Sequence, residues 1–159
     1  MTSLPRLGKL ILALGIIGLL RLLPEALQAS RIHRIYALVL TVDAVLAMGT
    51  AVAGEGLIRG KPWAPKLALR MAGVLLSTSV GLGAFIARTI TANWSLAGVD
   101  ILARMLYYVI ALVFWPYGIR TLLLGAPPDA RHSWKWNFIV SLLAGIPFAL
   151  VVLVVFGRS

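Results

Sequence analysis

The sequence predicts an all-α, polytopic transmembrane helical bundle of about five spans, folded as a single domain over residues 1–159. Three observations lead there. Of 159 residues, 60% are hydrophobic and 13% charged, and the mean hydropathy is +0.95, whereas an ordinary soluble domain is about 45–50% apolar. The apolar residues gather in segments close to the roughly 20 residues that a helix needs to cross about 30 Å of hydrocarbon. Trp63, Trp94, Trp134 and Trp136 fall at the ends of those segments or between them, where indole rings favour the headgroup layer.

The first segment, Leu7 to Leu23, is the weakest, because Arg21 follows only a short apolar core and Pro24 is expected to end it. Arg6 and Lys9 ahead of that core resemble the basic start of a signal peptide, but Leu27-Gln28-Ala29 makes a poor cleavage site, so the segment is read as a helix. The second runs from Ile35 to Ile58, and Gly60, Pro62 and Pro65 punctuate the turn after it. The third, Leu67 to Ile90, carries few breakers. The fourth, Val99 to Leu124, is stopped by Gly125, Pro127 and Pro128, and the fifth runs from Trp136 to Phe156. Pro116 and Pro147 lie inside the last two and should bend them by removing a backbone donor.

With five spans the ends lie on opposite sides, and the 15 basic residues divide nine to six, with Arg6, Lys9, Arg59, Lys61, Lys66, Arg70, Arg120, Arg131 and Lys135 on the richer side. That bias places the N-terminus in the cytoplasm. The net charge of +10 is distributed singly at segment ends, which fits anionic lipid headgroups as partners and not nucleic acid. The absence of cysteine removes thiolate chemistry and disulfides. His33 and His132 fall on opposite sides, and the carboxylates Glu25, Asp43, Glu55, Asp100 and Asp129 are scattered, so no metal ligand set and no cofactor site is expected. Ser77, Ser79 and Ser141 have no histidine near them and read as packing residues. Catalysis is therefore not expected.

Helices in lipid associate by close packing, which small residues at four-residue spacing allow. Gly73, Ser77 and Gly81 form such a seam in the third segment, and Ser141, Gly145 and Ala149 form one in the fifth. Asp43, Ala47, Ala51 and Glu55 repeat at the same interval in the second. These seams suit packing within the chain, with copies of itself or with other membrane subunits.

Asp43 is the one carboxylate deep in an apolar stretch, where a charge costs at least about 2.5–3.5 kcal/mol unless it is paired or hydrated. Counting about 1.5 Å per residue places it about 12 Å from the start of its helix and Arg104 about 7 Å from the same side. An Asp43–Arg104 clasp, or a hydrogen bond with the hydroxyl of Thr41 or Tyr108, is the structural expectation. The alternative is a small transporter or ion-conducting protein in which Asp43 takes up and releases a proton or cation. A third possibility is a ligand sensor with a pocket of Trp115, Tyr107, Tyr108 and Tyr117.

The stretch Gly54 to Leu69 is a basic interfacial turn: Glu55 and Arg59 stand four apart in the favourable order, and Lys61, Lys66 and Arg70 crowd around Trp63. The run Gly56-Leu57, Gly60-Lys61, Trp63-Ala64 and Leu67-Ala68, with Pro116 and Arg120 farther on, resembles small bacterial multi-helix membrane proteins of unknown function. That resemblance implies a bacterial membrane and no activity. Lys61-Pro62-Trp63-Ala64-Pro65 is also similar to the turn of the tryptophan-rich sensory protein (translocator protein) family, which carries it after the first helix; here it follows the second, and no porphyrin or sterol ligand is implied. The reading is a non-catalytic membrane subunit that packs with itself or with a larger membrane complex.

Overall fold

The computed structural model describes residues 3–28, 34–92 and 99–156, and among these it is all-α with no strand. Five helices follow one another: α1 (Ser3–Gln28), α2 (Arg34–Ile58), α3 (Ala64–Ala92), α4 (Val99–Leu124) and α5 (Arg131–Phe156). Helices α1 and α3 start four and three residues before the expected Leu7 and Leu67, and two boundaries differ by five residues. Helix α1 does not stop at Pro24 but continues to Gln28, because a proline inside a helix removes one hydrogen bond and bends the helix without having to end it. Helix α5 begins at Arg131, five residues before the apolar run, with the N–H groups of Ala130 and Arg131 both donating to the Pro127 carbonyl at 3.0 Å.

The α2–α3 turn is set by Gly60, whose φ of +64° lies in the left-handed region that glycine adopts without strain. The Lys61 N–H donates to the Gly56 carbonyl at 2.8 Å and the Gly60 N–H to the Leu57 carbonyl at 3.2 Å, a Schellman termination that satisfies the last carbonyls of α2. Pro65 then falls in the first turn of α3, where its missing N–H costs nothing.

Helices α1 to α4 close a ring in which each packs on the next and α4 returns to α1, while α5 lies outside the ring on α3. Successive helices run antiparallel, so α3 and α5 run parallel, as their paired residues show: Gly73 faces Ser141 and Gly145 faces Ser77. Inside the ring, Ile11, Leu69, Trp115 and Leu122 are fully buried.

The outer surface is apolar on all five helices. Ile17 on α1, Met48 on α2, Val80 on α3, Val113 on α4 and Leu143 on α5 are each more than half exposed. By composition alone, Leu40–Ile58 is the one described segment long and apolar enough to cross a membrane, and Val109–Leu124 is a shorter apolar stretch. The other helices carry cations near one end, such as Arg6 and Lys9 in α1, Lys66 and Arg70 in α3, and Arg131 and Lys135 in α5.

Candidate functional site: a charge pair enclosed by three helices

Asp43 sits in the middle of α2 with 6% of its side chain exposed, and Arg21 of α1, at 9%, places its Nη2 2.9 Å from the Asp43 Oδ2. The Arg21 guanidinium carbon also lies 4.6 Å from the ring centroid of Tyr107 on α4. A Cβ at Gly18, one turn before Arg21, would come 2.8 Å from the Tyr107 hydroxyl and 3.1 Å from the Ala47 Cβ, so glycine admits the phenol to this corner. Three helices thus bring an acid, a base and a phenol together.

Their depth is shared. At about 1.5 Å per residue, Arg21 is about 10 Å from the Gln28 end of α1, Asp43 about 14 Å from the Arg34 end of α2, and Tyr107 about 12 Å from the Val99 end of α4. The continuation of α1 past Pro24 is what puts Arg21 inside the bundle instead of at a helix end. Opposite charges at this separation neutralise one another, and the ring face adds a cation–π attraction of about 0.5–2 kcal/mol. Chemically the cluster can hold three helices in one register, or exchange a proton if water reaches it.

The sequence pointed to Asp43 but to a different arginine. The depth count favours Arg104, whose side chain lies outside the described residues; the described partner is Arg21. Its signal was available: seven residues before Gln28 and nine residues after Arg34 are within about 3 Å of one depth, but only if α1 is taken past its proline. Tyr107 carries no such signal, since Tyr108 adjoins it and only the helix phase separates them.

The small-residue seams meet inside the chain. A Cβ on Gly73 would come 2.8 Å from both the Leu142 nitrogen and the Phe138 oxygen, and one on Gly145 would overlap the Ser77 Oγ. Ala149 is buried, and the surroundings of Gly81 lie outside the described residues. A second seam joins α1 to α2 through the expected Ala51 of α2 and glycines that the four-residue search did not mark: a Cβ on Gly15 would come 2.8 Å from the Ala51 Cα, and one on Gly54 would come 2.7 Å from the Leu12 Cα.

At the basic end, Glu55 and Arg59 pair at 2.6 Å while remaining exposed. Lys61 and Lys66 are exposed, Trp63 is 45% exposed, and the Arg70 Nε donates to the Asn137 Oδ1 at 2.8 Å, linking α3 to α5. Of the aromatic set, Trp115 is fully buried, Tyr107 is buried at the charge pair and Tyr117 is 61% exposed. The hydroxyls of Ser77 and Ser141 donate to carbonyls of their own helices, at 3.0 Å to Val74 and 2.6 Å to Asn137. Among the described residues no group of three or more His, Asp or Glu could hold a metal, and the His132 Nε2 accepts from the Trp136 indole at 2.8 Å. His33 and Trp94 lie outside the described residues, as do the side chains of Asp100 and Tyr108. No protein-family model, curated protein or solved structure matches the chain.

Proposed function

We propose that the chain is a polytopic integral protein of a bacterial inner membrane, with its basic end in the cytoplasm, and that it serves as a non-catalytic subunit packing with copies of itself or with other membrane proteins. One observation carries this reading. Large apolar side chains are exposed on every helix, while the oppositely charged Arg21 and Asp43 are enclosed. Water would favour the reverse, because a soluble monomer rarely exposes apolar patches beyond a few hundred Å². Lipid favours this arrangement.

Orientation follows from the basic residues. All nine on the richer side, from Arg6 to Lys135, are exposed and lie toward the end that holds the α2–α3 and α4–α5 turns. Hydroxyls bonded within their own helices are poor candidates for nucleophiles, which supports the non-catalytic half of the reading. Because the seams of α3 and α5 occupy one another, contact with a partner falls to the outward faces. The test is extraction of native membranes first with alkaline carbonate and then with a mild detergent. Retention through carbonate, followed by elution with companion chains or as a multiple of 17.1 kDa, is expected. Release by carbonate contradicts the membrane reading, and a solitary 17.1 kDa species contradicts the subunit reading.

The transporter reading is favoured by one observation, the gathering of Arg21, Asp43 and Tyr107 at one depth. In that reading Asp43→Asn abolishes pH-dependent flux in liposomes; in the subunit reading it leaves flux at the level of empty liposomes, as the parent protein does.

A further inference from the structure

A cleft of about 380 Å³ opens at the basic end of the bundle, where α1, α2 and the α2–α3 turn meet. Its floor is apolar, made by Leu12 of α1 with Ala51 and Val52 of α2, and its rim carries Arg59, Lys61 and Trp63. The α2 residues among them fall on one face of that helix. From Arg59 to Ala51 is about 12 Å along α2, so cations lie at one end of the cleft and hydrocarbon at the other.

The tryptophan wall is built into the fold. A Cβ on Gly56 would come 2.8 Å from the Trp63 ring and 2.7 Å from the Ala64 Cβ, so only glycine lets the indole lie on α2. Glu55 also lines the cleft, and its carboxylate neutralises part of the charge of Arg59 through the 2.6 Å pair. Lys61 supplies a second cation, leaving the rim net positive.

We infer that this cleft is a binding site for a single anionic phospholipid, with the headgroup phosphate at Arg59 and Lys61, the glycerol region against Trp63, and one acyl chain along Leu12, Ala51 and Val52. The order of polarity along the cleft is that of a phospholipid from phosphate to acyl chain. Charge complementarity selects a headgroup with net negative charge over a zwitterionic one. This inference rests on the membrane reading above.

The test is native mass spectrometry of the full chain in a neutral detergent, with phosphatidylglycerol and phosphatidylcholine added at equal concentration. The parent protein is expected to retain phosphatidylglycerol preferentially. Retention should fall about fivefold for each cation removed in R59Q and K61Q, since each basic residue near an anionic surface contributes on that scale. E55Q moves it the other way, raising retention by removing the opposing charge. K9Q/R131Q, which removes two exposed cations outside the cleft, should leave retention unchanged.

Equal retention of the two lipids, or an equal loss in K9Q/R131Q, overturns the site in favour of diffuse surface attraction. Displacement by soluble glycerol phosphate as effective as that by the lipid overturns the acyl groove. All the substituted cations are exposed and Glu55 is half-exposed, and the opposite signs for E55Q and K61Q separate a specific effect from damage to the fold. Failure of the membrane reading is visible separately, as release by carbonate. A protein that resists carbonate but shows no lipid preference contradicts this inference alone.

Discussion

The Arg21 guanidinium of α1 lies 2.9 Å from the Asp43 carboxylate of α2, beneath the face of Tyr107 from α4, and each charge lowers the cost of burying the other. Removing one partner should therefore cost more than removing both. Arg21→Leu alone or Asp43→Leu alone is expected to lose about 3–5 kcal/mol, while the double substitution recovers most of it, because only the single variants keep one of the two charges buried without the other. Unfolding in mixed micelles of increasing denaturing detergent checks this. Additive losses would show that the pair is not coupled.

Gly145 and Ser77 offer a size-exchange test of the α3–α5 contact. Gly145→Ala should destabilise by about 1–3 kcal/mol, since its new Cβ meets the Ser77 side chain, and Ser77→Gly in the same chain should restore stability. The same detergent unfolding series reads both. If the double variant is no better than Gly145→Ala, the two helices do not meet at this point.

Gly60 and Gly54 separate two reasons for glycine. No atom lies within 4 Å of a Cβ built at Gly60, so Gly60→Ala should cost only the backbone term for a left-handed residue, about 1–2 kcal/mol. Gly60→Asn should cost less, because asparagine tolerates that conformation. Gly54→Ala meets the Leu12 backbone, which cannot move without separating α1 from α2, and should cost more than Gly60→Ala. Melting temperatures in one detergent rank the three, and a reversed order contradicts the account.

The all-α class and four of the five helices were legible because long apolar runs bounded by Gly, Pro and Trp leave few alternatives to helices. The α3 and α5 seams were legible as well, since small residues every four positions mark one face, although their pairing with each other is a matter of tertiary packing. What the pattern hid lies in α1. Pro24 and Arg21 read as an end, yet the helix runs through both, and this is what brings Arg21 to Asp43. The α1 seam uses Gly8 and Gly15, seven residues or two turns apart, a spacing that a search at intervals of four passes over. The start of α5 was missed because four of the five residues from Arg131 to Lys135 are polar, and hydropathy does not register a polar helical turn.

The central claim is that the outside of this bundle is in contact with acyl chains. The chain has no cysteine, so single cysteines report cleanly. In intact membranes, a charged maleimide should label Lys61→Cys and Ser133→Cys at the basic end and leave Ile17→Cys, Val113→Cys and Leu143→Cys unlabelled, although all five positions are exposed on the isolated chain. Equal labelling at all five would place those apolar faces in water and contradict the account.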